Sequence, residues 1–192
     1  MKFFIVPCLF FFFYMPVCYS QLDSTYSKTD KEVMDKIQEL RDNKTDTIVC
    51  YYVYCNGALR LMPPDSCIAY DIKYLLWHHR NQSFIQRFDE CKFYKSINIG
   101  SSLFNFILTN YFKIQKQNLK HDVIAVDHYC VTKIEFYYGG KPLRKHIDWP
   151  DLNKYSYGKQ LNKHYSDNKK SKLNRLKNII EAQVKIYNKK IG

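Results

Sequence analysis

The largest local cluster that mixes histidine with aspartate is His121, Asp122, Asp127 and His128, gathered in the stretch 121–130 that ends in Tyr129 and Cys130. Imidazole beside carboxylate is the pairing that serves general acid–base chemistry, one group moving the proton and the other orienting it. On an extended chain Asp122 and His128 share a face, but the polar flanks of the apolar run 123–126 read more simply as the end of a strand. His78 and His79 are adjacent and diverge, which is the wrong spacing for two ligands to one metal. The chain has no Gly-x-Ser-x-Gly, no phosphate loop and no Cys-x-x-Cys, since four residues separate Cys50 from Cys55. No catalytic residue, metal site or cofactor is expected. A small secreted hydrolase using His121, Asp127 or His128 stands as the enzymatic alternative.

Lys2 precedes an apolar run from Phe3 to Met15, followed by Pro16 and Cys18-Tyr19-Ser20. The run is short of the roughly 20 residues a membrane-spanning helix needs, and Ser20 suits the position before a cleaved bond. Residues 1–20 are therefore expected to be a secretory signal peptide, and the mature protein to be extracellular. The sequons Asn43-Lys44-Thr45 and Asn81-Gln82-Ser83 agree with that compartment and make Asn43 and Asn81 candidate glycosylation sites. Five cysteines remain after processing: Cys50, Cys55, Cys67, Cys91 and Cys130. Most should be bridged in an oxidising compartment, and the odd one is either buried and free or joined to a second chain in a disulfide-linked dimer. Spacing leaves every pairing open.

Charge divides the chain. Residues 141–192 hold fourteen Lys and Arg against four acids, whereas 21–140 are nearly balanced, with fifteen bases and fourteen acids. Within the basic end, Leu173, Leu176, Ile180, Val184, Tyr187 and Ile191 recur at helical steps, flanked by Lys172, Arg175, Lys177, Lys185, Lys189 and Lys190. A basic amphipathic helix is expected over about 170–190. It would either pack its apolar face on the body or serve a polyanion or an anionic membrane surface.

The elements that would position these groups read as mainly helical. A charged helix is expected over 31–40, capped by Asp30, with Val33, Ile37 and Leu40 inward. Thr47 to Cys55 is β-branched and aromatic and favours a strand by propensity, although a cysteine-bridged helix shares that composition. Helices are expected from Asp65 or Ser66 through Trp77 to His79, from Ser83 to Tyr94, and from Ser102 to Gln117. Residues 141–168 read as an irregular connection with short helical turns. The expected fold is thus a small, mainly α, disulfide-containing body over 21–140 with a basic segment over 141–192.

Tyr54-Cys55 and Tyr129-Cys130 each follow a helical segment and a β-branched stretch, the pattern that two weakly similar helical repeats would leave. With the secretory signal, the run Cys50-Tyr51-Tyr52-Val53-Tyr54-Cys55, the later stretch from Cys91 to Tyr129-Cys130 and a composition rich in A/T-coded residues, the chain resembles the bicycle proteins of aphids. That resemblance, spanning about 50–130, implies a salivary effector without enzymatic activity. Such a protein is delivered into a plant host, where it binds a host protein and alters host physiology or development, as in gall formation.

Overall fold

The computed structural model describes residues 27–55, 69, 71–121, 129–138, 142–155 and 160–191. In chain order these form helix α1 (Lys28–Asp42), strands β1 (Thr47–Cys55), β2 (Lys73–His79), β3 (Gln82–Phe88) and β4 (Ile97–Ile99), helix α2 (Ser102–Lys116), strands β5 (Cys130–Tyr137) and β6 (Leu143–Asp148), and helices α3 (Tyr165–Lys170) and α4 (Lys172–Ile191). A 3-10 turn, Trp149–Leu152, follows β6. The six strands make one sheet in the order β4-β3-β2-β1-β5-β6, every pair antiparallel. β1 to β4 run outward as a meander. The chain then returns through α2, and β5 pairs with the free side of β1.

This is an α/β fold with helices on both faces of the sheet, not the mainly α body of helical repeats that periodicity favours. β2 and β3 stand where two helices are expected, for an identifiable reason. In β2, Tyr74 and Leu76 join the core under α2 and α4, whereas Leu75 and Trp77 join the core under α1. A central strand buried on both faces loses its polar alternation, and a short run of that kind cannot be told from a buried helix by period. The two strands meet at Arg80-Asn81, both at positive φ (48° and 64°), as a two-residue turn whose twist matches a hairpin requires. No glycine marks that turn. β6 likewise forms in the stretch read as irregular, each of its residues opposite one of β5.

The two Tyr-Cys stretches do not head equivalent repeats. Cys55 ends β1, Cys130 opens β5, the two are directly opposed in register, and their sulfurs are bonded to each other.

Three helices follow the expected pattern, because each is apolar on one side only. α1 buries Val33, Ile37 and Leu40, and is capped by Ser27 rather than Asp30, the Asp30 N–H donating to Ser27 Oγ at 3.1 Å. α2 buries Leu103, Phe104, Ile107 and Ile114. Its C-terminal end is closed from β6 by Lys145, whose Nζ donates to Gln115 O at 2.7 Å, Gln117 O at 2.9 Å and Asn118 Oδ1 at 3.2 Å. A cation there satisfies orphan carbonyls and opposes the helix dipole. α4 buries Leu173, Leu176, Ile180 and Tyr187 in the same core.

A single ion-pair network holds α1 to the sheet. Lys73 Nζ pairs with Asp30 and, at 3.0 Å, with Asp71 Oδ2, while Ser27 Oγ donates to Asp71 Oδ2 at 2.9 Å. Burial by itself would raise the Asp30 carboxyl, but the Lys73 ammonium and Ser27 outweigh it and hold it below the usual carboxylate range. Burial likewise opposes the charge on Lys73, yet Asp30 and Asp71 hold it above the ordinary ammonium range. A lowered acid stabilises the fold above its unfolded pKa and loses that contribution as pH falls through its folded value. A raised base contributes below its unfolded pKa and loses that as pH rises through its folded one. The network therefore stabilises across the neutral range and is lost first in acid. The urea midpoint should fall between about pH 4 and pH 2 less steeply in Asp30→Asn than in the natural chain; parallel slopes in the two proteins would contradict the assignment.

Candidate functional site

Among the described residues, one face of the sheet is covered by α2 and α4 and the other by α1 alone. A helix about 10 Å across covers roughly two strands set about 4.8 Å apart, and α1 lies over β2 and β3. The β1-β5-β6 part of that face is left without a helix, and there a cavity of about 600 Å³ opens between α1 and the sheet. α1 supplies Asp30, Lys31, Val33, Met34 and Arg41 to its wall. Its floor is Cys50 and Tyr52 of β1, Lys73 of β2, and Glu135 and Tyr137 of β5, with Pro142 and Arg144 at the β6 side. Alternation along antiparallel strands explains the selection: residues opposed in register, such as Cys50 and Glu135, share a face.

The polar groups of the cavity are largely paired with one another. Tyr137 Oη donates to Glu135 Oε2 at 2.7 Å, and Arg144 Nε meets Glu135 Oε1 at 3.2 Å. Arg41 lies over the Tyr137 ring, 5.3 Å from its centre, and Lys73 over the Tyr52 ring at 5.1 Å. Burial, then the Glu135 hydrogen bond and charge, pushes the Tyr137 phenol up. Burial and Glu135 also push Tyr52 up to about 12. Cys50 is raised too, first by burial and then by Glu135. A thiol held protonated is a poor nucleophile, and phenols so raised donate hydrogen bonds without ionising. The cavity is chemically suited to holding a molecule.

Sequence reading missed this site, apart from Cys50 as a cysteine, because its members come from five elements brought together by sheet register. The histidine cluster has a different outcome. His121 does find carboxylates, but from the far end of β6: its Nδ1 lies 2.7 Å from Asp151 Oδ2 and 3.6 Å from Asp148 Oδ2. Asp151 is buried, which raises its carboxyl, although His121 works against that. These three could chelate an ion, since their ligand atoms lie within 4.8 Å of one another; the 2.7 Å approach of imidazole to carboxylate needs none. Asp122, Asp127 and His128 lie outside the described residues. His78 bonds Ser83 Oγ at 3.0 Å, and as its neighbour in a strand His79 points to the opposite face.

Among the described residues Cys50 is the free thiol, and its burial keeps it from a bridge to a second chain. Cys91 is disulfide-bonded, with a partner outside the described residues, where Cys67 also lies. Asn43 and Asn81 are exposed on turns. Tyr54 is exposed with Lys133 over its ring at 5.6 Å, and Tyr129 is half-buried.

Of the basic residues on α4, Arg175, Lys185, Lys189 and Lys190 are exposed, Lys172 is half-buried, and Lys177 is paired with Glu181 at 2.7 Å. The apolar face of that helix is in the core, which leaves only its cations for a polyanion or an anionic surface. Among the described residues no helix is long and apolar enough to cross a membrane.

Fold and site define a class: an α/β protein with a six-stranded antiparallel sheet and an open cavity under one helix. Comparison with known proteins gives no match, whether to a family model, a curated protein or a solved structure.

Proposed function

We propose that the protein is a secreted effector that acts in a recipient organism by binding a host component, with no catalytic chemistry of its own. The observation that carries this reading is the cavity between α1 and the sheet, in which acids are met by bases and the thiol is kept protonated. The Cys55–Cys130 bridge supports an oxidising compartment, where such bonds persist. Delivery from a salivary gland into plant tissue, with altered development such as gall formation as its outcome, follows from the resemblance to bicycle proteins. Antibody localisation in the source animal and in tissue it has fed on tests the route. Signal in salivary gland and recipient tissue is expected; signal confined to gut or body fluid would remove the effector reading.

A second reading, a polyanion-binding protein, is favoured by the exposed Arg175, Lys185, Lys189 and Lys190 of α4. Retention on heparin that falls with salt and with Lys→Gln changes at Lys185, Lys189 and Lys190 would support it.

A further inference from the structure

We infer that the cavity under α1 takes a small, flat, ring-bearing carboxylate, its ring between the tyrosine edges of the sheet floor and the aliphatic side of α1, and its anion on Arg41. This deepens the reading that the chain acts by binding and is independent of where the chain is delivered.

Three features of the cavity select the ligand. Its volume, about 600 Å³, lies within the range of sites that hold small molecules. Its walls pair aromatic surface with aliphatic: Tyr52 and Tyr137 from the sheet face Val33 and Met34 of α1. With Arg41 over the Tyr137 ring and Lys73 over the Tyr52 ring, a slot of that composition favours a planar apolar body that meets the tyrosines at their edges and is covered by the aliphatic side.

Charge supplies the third feature. Lys73 is committed to Asp30 and Asp71, and Arg144 to Glu135. Glu135 is further satisfied by the Tyr137 hydroxyl. Among the described residues, the cavity's remaining cations, Lys31 and Arg41, have no ion-pair partner, so the lining carries an uncompensated positive charge. Of these two, Arg41 touches the aromatic floor, lying over the Tyr137 ring. A guanidinium can receive a carboxylate in bidentate fashion, and Arg41, free of ion-pair partners among the described residues, is the one cation of the lining set against the Tyr137 ring. Cationic ligands meet the opposite situation, because both acids in the lining are already neutralised.

The test uses the full processed chain with its disulfides intact and two probes of one shape, 2-naphthoate and the neutral 2-naphthamide, titrated by calorimetry and followed by amide NMR shifts. The acid should bind at least about tenfold more tightly than the amide, as a charge-assisted pair in a partly desolvated site requires. Shifts should centre on Val33, Tyr52 and Tyr137. Arg41→Gln should remove the preference, bringing the acid's affinity to that of the amide, and Met34→Trp, which fills the slot from its half-exposed rim, should weaken both probes together. Both variants must keep the natural melting transition, and Arg41→Lys, which keeps the charge without the fork, should recover part of the preference. Equal binding of acid and amide, binding that neither variant changes, or no binding of either probe at millimolar concentration would each overturn the inference. Failure here leaves localisation in recipient tissue as a separate question, so the two readings fail distinguishably.

Discussion

A chain ending at Lys170 is expected not to fold. Removing α4 removes Leu173, Leu176, Ile180 and Tyr187, all fully buried in the core that α4 shares with α2 and the sheet. Burying one large apolar side chain is worth about 1.5–3 kcal/mol, so the four together approach the whole stability of a domain, about 5–15 kcal/mol. The loss would extend to polar contacts. Tyr187 Oη donates to Lys95 O at 2.8 Å and accepts from the Arg87 N–H at 3.3 Å, and Tyr51 Oη donates to Glu181 Oε1 at 3.1 Å. Near-ultraviolet circular dichroism and dispersed NMR amide signals should both be lost in the truncated chain, and protease sensitivity should rise. The single change Leu176→Ala should instead give a folded protein weakened by about 2–5 kcal/mol, read from the urea midpoint. A truncated chain that melts cooperatively at the natural temperature would refute this account of the core. The same reasoning decides how polyanion binding must be examined: deleting the helix unfolds the body, whereas charge removal at Lys185, Lys189 and Lys190 alters only exposed groups.

The three helices were legible in the sequence for the reason that α4 is indispensable. A helix on the outside of a sheet buries one stripe and wets the other, and Leu173, Leu176 and Ile180 mark that stripe whatever it packs against. Strands in the middle of a covered sheet have no wet side. Ile72, Leu75 and Leu76 fit a helical step as well as an extended one, and only the partners across the sheet, which are distant in sequence, choose between them. β1 leaned toward a strand because its β-branched and aromatic residues favour extension by themselves, although a cysteine-bridged helix of that composition stayed open until the register with β2 and β5 was seen. The cavity was illegible for a further reason. Lys73, Glu135 and Arg144 are ordinary surface-type residues in the sequence, and their common site exists only once β5 has paired with β1 and β6 with β5. Arg41 gives no local sign of its role either, since a base in the last turn of a helix is commonplace. An odd number of cysteines after the expected leader left two fates open for one thiol, buried and free or joined to another chain; among the described residues the free and buried one is Cys50.

The Cys55–Cys130 bridge should rank with α4 among the determinants of stability. It closes a loop of 75 residues in sequence separation, and loop-closure entropy for a ring of that size corresponds to about 4 kcal/mol. Register makes the bond effective in the native state, since Cys55 and Cys130 are direct partners at the open end of the β1-β5 ladder, where fraying would begin. Cys55→Ala with Cys130→Ala should therefore lower the melting temperature by about 8–16 °C for a domain of this size, and the β1-β5 amides nearest residue 55 should lose most protection from hydrogen exchange. Mild reductant should act on the natural chain in the same direction and leave the double variant's β1-β5 protection unchanged. Cys50 provides an internal control, because its buried, protonated thiol should resist a thiol-reactive dye in the native protein and react on unfolding. If Cys50 reacts in the folded chain as fast as in denaturant, the β1 floor of the cavity is not closed. If the double variant melts where the natural protein does, the strands hold that end without the bridge and the loop-closure account of the bond is wrong.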